Sequence, residues 1–293
     1  RLGMLDCASN KIKKVHPFGK DINLTKLYLD YNEITEIPHA EDGYFFGYLD
    51  VESFTCTHNK ITVFPDAFNA KSIHIMASVD FSYNEIKGFP ADFKGVKVNT
   101  LTLANNPALT KYPVELAKSN STVAYVNVRG CNIDEIPEGS FEYENSIYLT
   151  SLDLSYNDLT DLPWEMHAGN LPYLYGVELS FNKFSQFPWE PLDSQYLTVF
   201  SIRSQRNDAG ERCLSEWPTG LYNHRGLRGF YIGSNNLGKI EDTISTLIYY
   251  LDISDNPNIV FDASDICYHW QNGVYFLLYD KTQDIRNCPL MLN

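Results

Sequence analysis

The 293-residue chain has 37 acidic and 23 basic side chains, which gives a formal net charge of −14. A nucleic acid needs a positive field to bind, and an anionic membrane surface repels an acidic protein, so this charge disfavours both partners. No apolar run approaches the roughly 18 residues of a membrane-spanning helix. The sequence therefore predicts a soluble chain with a neutral or basic partner.

A pattern of apolar residues and one asparagine first appears clearly at Leu24, Leu27, Leu29, Asn32 and Ile34. The alternating leucines predict a short strand whose apolar side chains point into one interior. Asparagine follows where the chain leaves the strand in a tight turn, because its amide can donate to and accept from buried backbone groups there. Each copy of the pattern therefore predicts one strand and one turn.

The same pattern starts near residues 2, 24, 51, 76, 98, 123, 149, 174, 197, 227 and 248. Nine copies carry asparagine at the turn, and these residues are Asn10, Asn32, Asn59, Asn84, Asn106, Asn157, Asn182, Asn235 and Asn256. Cys131 and Gln205 take its place in two others. The spacing between successive turn residues runs from 21, between Asn235 and Asn256, to 30, between Gln205 and Asn235. We expect these side chains to form a ladder through stacked coils.

An apolar residue followed by proline ends most copies, as at Ile37 and Pro38. Proline fixes φ and has no N–H group, so we expect irregular or 3₁₀ connections on the far side of each coil rather than long helices. A second apolar residue, three or four positions after most of these prolines, is expected to pack beneath this side.

These copies resemble the leucine-rich-repeat family over nearly the whole chain. The resemblance implies an α/β-type solenoid, a right-handed horseshoe of about 11 repeats with a C-terminal capping strand. A parallel sheet would line its concave face, and its convex side would be mostly irregular or 3₁₀. Length alone suggests about two domains. No linker interrupts the repeats, however, so we predict a solenoid over 1–261 and a cap over 262–293 within one structural domain.

The pattern breaks after residue 261, and Val274, Leu277 and Tyr279 predict one final strand that covers the last coil. Cys267 and Cys288 flank this strand, and they form either a disulfide or two free thiols in the cap. The remaining cysteines lie at core or turn positions and are expected to be free thiols; they are Cys7, Cys56, Cys131 and Cys213.

Signatures of metalloproteases, nucleotide-binding loops, dinucleotide-binding folds and serine hydrolases do not occur in the sequence. The seven histidines have no metal-ligand spacing. Pairs of acidic residues arise from the repeat itself, so they do not indicate a glycosidase. We therefore expect a protein that is not an enzyme and that needs no cofactor or metal.

Outward-facing strand residues are free of the core's constraints, so we expect a binding surface there. Acidic, hydroxyl and tyrosine side chains dominate these positions, and tyrosine offers a rigid contact area with a hydroxyl group. The sequence predicts that the concave face binds a protein or a glycan. The candidate ligand-binding residues are Tyr28, Asp30, Asp80, Asp153, Glu178, Arg203, Arg228, Tyr231, Tyr250 and Asp252.

Tyrosines precede the turn asparagine at Tyr31, Tyr83 and Tyr156. These residues share a repeated turn motif, so one interpretation is a structural ladder of stacked rings. The other interpretation makes them part of the binding surface, since exposed rings offer contact area. Both interpretations stay open at this point.

The largest departure from the pattern follows Gln205, where the polar segment 206–212 is inserted. Insertions in solenoids often form binding loops. In one interpretation Arg206 and Arg212 bind a carboxylate or a phosphate together with neighbouring arginines. In the other, Asp208, Glu211 and Glu216 make it a self-neutralising surface loop.

The aromatic-rich repeats and the tail from Tyr279 to Cys288 resemble exported leucine-rich proteins of Gram-negative gut bacteria. The resemblance implies an extracellular or cell-surface protein, and one form of this hypothesis anchors it by a lipid on an N-terminal segment that is absent here. The periplasm and the cytoplasm are alternative locations. Arg1 and Leu2 begin within a repeat, so we expect a truncated chain, and we expect it to be a monomer.

A non-catalytic recognition module is the first functional hypothesis. The alternatives are the targeting domain of a larger effector enzyme and a structural cell-surface spacer.

Overall fold

In the computed structural model the described residues are 3–18, 24–38, 51–68, 76–91, 93, 95–117, 121–142, 146–221, 224–240, 247–260 and 276–280. The chain divides into two compact units. The first unit is Arg1–Asn157 with Gly169–Leu171, and the second is Asp158–Ala168 with Pro172–Asn293. The boundary of the cap at residue 262, and its place in one structural domain, stay predictions.

Among the described residues of the first unit, seven short strands form a parallel sheet in chain order. They are β1 (Met4–Asp6), β2 (Lys26–Tyr28), β3 (Ser53–Thr55), β4 (Met76–Asp80), β5 (Val98–Thr102), β6 (Tyr125–Asn127) and β7 (Ser151–Asp153). Each strand pairs with the next at equivalent places of the repeat, as Leu27 does with Phe54 and Phe54 does with Val79. The predicted parallel sheet with one strand per coil is confirmed.

The second unit continues the same arrangement with five strands among its described residues. They are β8 (Gly176–Glu178), β9 (Val199–Ser201), β10 (Gly229–Tyr231), β11 (Tyr250–Asp252) and β12 (Phe276–Leu278). All pair in parallel and in chain order. Leu277 lies opposite Leu251, so the last predicted strand is present in the predicted register.

The core of each unit consists of the inward side chains of the strands and the apolar residues of the connections. In the first unit, the rings of Phe54, Phe64, Phe68 and Phe81 are buried, with neighbouring ring centroids 5.1 to 5.8 Å apart. Full burial of such a side chain stabilises the fold by roughly 1.5–3 kcal/mol. Aromatic residues therefore take many of the positions that leucine occupies in the clearest repeat.

The turn asparagines form the predicted ladder of hydrogen bonds within each unit. The Asn84 side chain donates through Nδ2 to the carbonyls of Cys56 (2.9 Å) and Phe81 (3.0 Å), and its Oδ1 accepts the N–H of Ile61 (3.1 Å). Asn59, Asn106 and Asn256 repeat these bonds in their own coils. Each amide thus joins the turn of one coil to the turn before it.

The two replacements of asparagine behave differently in the ladder. The Cys131 thiol donates to the Leu103 carbonyl (3.1 Å), and burial raises the pKa of this thiol to about 11. Gln205 is fully buried, donates to the Leu179 carbonyl (3.0 Å) and accepts the Phe184 N–H (3.1 Å). Gln205 therefore continues the ladder, because its side chain supplies the same amide group.

The residue before the turn asparagine adopts a left-handed backbone in every coil where these residues are described. Tyr31, Tyr83, Tyr156 and Phe181 have φ between 54° and 60°. This conformation costs a residue with a side chain roughly 1–2 kcal/mol. The hydrogen bonds of the next residue, the turn asparagine, offset this cost because they hold the turn in place.

Connections between strands contain short 3₁₀ helices, as predicted. These helices are Asp66–Phe68, Val114–Ala117 and Glu190–Asp193. None of the helices in the described parts of the chain is long and apolar enough to cross a bilayer.

The cysteines of the described residues are free thiols, as expected. Cys56 and Cys131 are buried, whereas Cys7 and Cys213 are half-buried. The candidate disulfide between Cys267 and Cys288 lies outside the described residues.

A histidine in the second unit ties two connections together. The ring of His224 accepts the Leu227 N–H at Nδ1 (2.9 Å), so its Nε2 carries the proton that it donates to the Ser194 carbonyl (3.1 Å). Burial lowers the pKa of His224 from its ordinary value. The neutral ring is therefore the form that fits this site.

Asn84→Ala should lower the free energy of unfolding by about 3 kcal/mol, because the substitution leaves several buried backbone groups without partners. Chemical denaturation measures this loss. Asn99→Ala is the control, since Asn99 is exposed on β5, and it should change the stability by less than about 0.5 kcal/mol. Equal losses in the two variants would contradict the ladder as the main source of the effect.

Acid should destabilise the chain partly through His224. The pKa of His224 in the folded state lies below its unfolded-state value of about 6.5. The stabilisation that its neutral ring gives is therefore fully present above about pH 6.5. The contribution is lost as the pH falls through the folded-state pKa, where the ring must be protonated. Denaturation curves between about pH 7.5 and about pH 5 should show a smaller loss of stability in His224→Gln than in the parent. Parallel pH profiles would show that this ring does not contribute.

Candidate functional site

The candidate ligand-binding residues lie on two separate units. Tyr28, Asp30, Asp80 and Asp153 belong to the first unit, and the other six belong to the second. The structure brings four of those six together on β10, β11 and the turn after β9: Arg203, Tyr231, Tyr250 and Asp252.

On the first unit, the carboxylates of the strand face stabilise the strand ends. Oδ1 of Asp80 accepts the Ser82 N–H (2.8 Å) and its hydroxyl group (2.6 Å), and Asp153 binds Ser155 in the same way (2.9 and 2.6 Å). Asp30 accepts the Thr57 N–H (2.7 Å). The acidic character predicted for this face is thus largely a consequence of how its strands end.

The tyrosines before the turn asparagine form a stack on the first unit. The ring of His58 lies between Tyr31 and Tyr83, with centroids 4.1 and 4.2 Å away and nearly parallel planes. The Arg129 guanidinium covers the Tyr156 ring at 4.0 Å from its centroid. Tyr31 and Tyr83 therefore stack as the ladder interpretation predicts, with a histidine between them that the tyrosine pattern did not reveal. Both side chains are also exposed, and their role in binding stays a prediction.

An ion pair lies at the centre of the strand face of the second unit. Arg203 contacts Oδ2 of Asp252 through a guanidinium nitrogen at 2.7 Å, and the Asp252 side chain is only 5% exposed. Oδ1 of Asp252 accepts the N–H (3.0 Å) and hydroxyl (2.6 Å) of Ser254. Both carboxylate oxygens are therefore occupied within the protein.

Two glycines make room for these side chains. A Cβ atom on Gly229 would lie 3.1 Å from the Tyr231 ring, and one on Gly233 would lie 2.9 Å from both Asp252 carboxylate oxygens. The Tyr231 ring therefore lies against its own strand, with the Arg203 guanidinium 4.8 Å from the ring centroid. Partial burial raises the pKa of Tyr231.

Exposed apolar side chains continue this surface towards β12. Tyr250 and Phe276 stack with ring centroids 5.2 Å apart and an interplanar angle of 9°, and they are 46% and 60% exposed. Leu278 is 53% exposed and lies opposite Asp252. We call Tyr231, Tyr250, Phe276 and Leu278 the aromatic face. Phe276 is not among the candidate residues from the sequence, because the repeat pattern weakens in the last coil.

Glu178 and Arg228 lie beside the aromatic face rather than within it. Glu178 is separated from Tyr231 by Ser201 in the register of the sheet, and it accepts the Ser180 N–H (2.8 Å). Arg228 donates to the carbonyls of the segment 225–227 and covers the Tyr249 ring at 5.6 Å from its centroid.

The inserted segment is tied to the ladder through its arginines. Arg206 donates to the carbonyls of Gln205 (3.0 Å) and Ser234 (2.7 Å). Arg212 donates to the Asn235 carbonyl (3.1 Å) and pairs with Asp255 at 2.6 Å, which lowers the pKa of that carboxyl group. Asp208 instead pairs with Lys183, and Glu211 accepts a hydrogen bond from Asn207. The anion site and the self-neutralising loop both stay predictions.

Asp252→Ala should lower the free energy of unfolding by about 2 kcal/mol, because Arg203 loses its buried partner and the Ser254 N–H loses its acceptor. Asp252→Asn keeps that acceptor and should lose less. Denaturant titration compares both variants with Asp208→Ala. The Asp208 carboxylate is 87% exposed in its pair with Lys183, so its removal should not measurably change the free energy of unfolding. A loss in Asp208→Ala as large as in Asp252→Ala would refute this account.

Comparisons with known proteins agree with the observed coils. A family model described as "Leucine Rich repeat" matches residues 145–162. Human lumican is 29% identical over 160 residues, which is 53% of this chain and 43% of lumican.

Two crystal structures of leucine-rich repeat proteins are similar over nearly the whole chain. The protein from Bacteroides thetaiotaomicron is 42% identical with a TM-score of 0.89, and the alignment covers 99% of this chain and 36% of that one. The protein from Bacteroides eggerthii is also 42% identical, with a TM-score of 0.87 and coverage of 99% and 49%. The chain thus spans less than half the length of these relatives. Its coils, its parallel strands and these similarities show that the chain has the leucine-rich-repeat fold.

Proposed function

We propose that the chain is a non-catalytic recognition module that binds a protein through the aromatic face of its second unit. The observation that carries the proposal is the exposed stack of Tyr250 and Phe276 beside Leu278. Contiguous exposed apolar side chains on a folded protein typically belong to an interaction site. Aromatic residues and arginine are enriched at the centres of protein interfaces.

The surroundings of the aromatic face support a protein partner. Arg203 and Asp252 neutralise each other, so the face itself demands no charged ligand at its centre. The whole chain has a net charge of −14, which favours a neutral or basic partner at long range. The Tyr231 ring rests on its strand, so little side-chain entropy is lost when it is covered.

The same proposal includes an extracellular or cell-surface location, which the resemblance to exported repeat proteins implies. A concave strand surface is the usual binding surface of repeat proteins of this kind.

Peptides that bind the parent chain can be selected from a random peptide display library, and these peptides serve as probes for the aromatic face. The double variant Tyr250→Ala/Phe276→Ala should weaken their binding by about tenfold or more, because it removes two central aromatic contacts. Biolayer interferometry measures the affinities, and thermal melting checks that the variant is folded.

The matched control is Tyr173→Ala/Tyr196→Ala, a second exposed aromatic pair of the same unit. Its ring centroids lie 6.1 Å apart, and its side chains are 59% and 64% exposed. This variant should bind the selected peptides like the parent. Retained binding in the first variant, or an equal loss in both, would exclude the aromatic face as the recognition site.

A further inference from the structure

Two clefts open in the connections of the second unit, and the indole of Trp189 lines both of them. The first cleft has a volume of about 380 Å³ and lies beside the 3₁₀ helix Glu190–Asp193. The second has a volume of about 600 Å³ and reaches Trp217. Both volumes fall within the range of small-molecule sites. These clefts lie in the connections, whereas the aromatic face lies on the strands.

Trp189 is held in place although it is partly exposed. Its ring packs edge to face against Phe187 at 4.9 Å between centroids, and 43% of the residue remains accessible. Trp189 is the N-cap residue of the 3₁₀ helix, and Pro191 fixes the backbone in the first turn of that helix. Trp217 is 6% exposed and packs against Phe230 at 6.1 Å, so it forms a rigid wall of the second cleft.

Exposed polar side chains line each cleft around this indole. Each cleft has one amide, one carboxylate and one cationic group: Gln195, Asp193 and Arg225 in the first, and Gln186, Glu216 and Lys239 in the second. Carboxylate and cation cancel in each cleft, although the chain as a whole is strongly acidic. A neutral ligand with many hydrogen-bonding groups fits this balance.

We propose that the two clefts are adjacent subsites for a neutral oligosaccharide, with Trp189 between them. A pyranose ring has apolar C–H faces and a rim of hydroxyl groups. The faces match an exposed indole, and the hydroxyl groups match carboxylate, amide and cationic side chains that accept or donate hydrogen bonds. An indole shared by two clefts would contact two successive sugar units of one chain.

Isothermal titration with cellohexaose, xylohexaose, mannohexaose and maltohexaose tests the proposal on the whole chain. At least one of them should bind with a Kd below about 1 mM. Trp189→Ala should weaken that binding by about tenfold or more, because it removes the stacking surface. The pair Gln186→Ala/Glu216→Ala changes only exposed side chains, and it should weaken binding as well even if Trp189→Ala affects folding.

Trp164→Ala is the matched control. Trp164 also follows a proline, Pro163, and is 68% exposed, but it stacks on His167 and lines neither cleft. The variant Trp164→Ala should bind the sugar with the same affinity as the parent. The variant Tyr250→Ala/Phe276→Ala should also bind the sugar normally, which separates this site from the aromatic face. Absence of binding by all four sugars, or equal binding by the parent and a folded Trp189→Ala, overturns the proposal.

Discussion

The hydrogen bonds between a turn amide and the backbone of the neighbouring coil are the interaction on which the rest of the structure depends. Each amide, as at Asn84, gives a partner to carbonyl and N–H groups that the stacked turns bury. Without them, the end of every strand would leave polar groups unsatisfied in the interior. The requirement is chemical rather than specific to asparagine, and Gln205 meets it with a longer side chain.

This constraint also determines much of what the surface looks like. The turn places one residue per coil in a left-handed conformation, which displays Tyr31 and Tyr83 at regular intervals and lets them stack through His58. Serine two positions after aspartate lets the carboxylate stabilise the end of its strand, as at Asp80. Repeated tyrosines and acids on the strand side are therefore consequences of coil geometry first.

Exposed side chains that complete no turn and fill no core position are better candidates for binding. On the second unit, Tyr250 and Phe276 stack while remaining about half exposed, and neither is needed to complete a turn. In the connections of that unit, the exposed part of Trp189 plays no part in the core. Both features place rigid aromatic surface next to groups of balanced charge, which suits recognition of neutral partners more than of anions.

The amino-acid sequence by itself determined the parallel strands, their register, the amide ladder and the 3₁₀ connections, because a repeated pattern reports local geometry in every copy. Four of the ten candidate residues that it predicted lie together on β10, β11 and the turn after β9. Only the tertiary structure decided that Arg203 is paired with Asp252, that Arg206 and Arg212 bind turn carbonyls, and that Gly229 admits the Tyr231 ring. The three arginine contacts join residues about 20 to 50 positions apart through side-chain reach, which the spacing of the pattern does not encode.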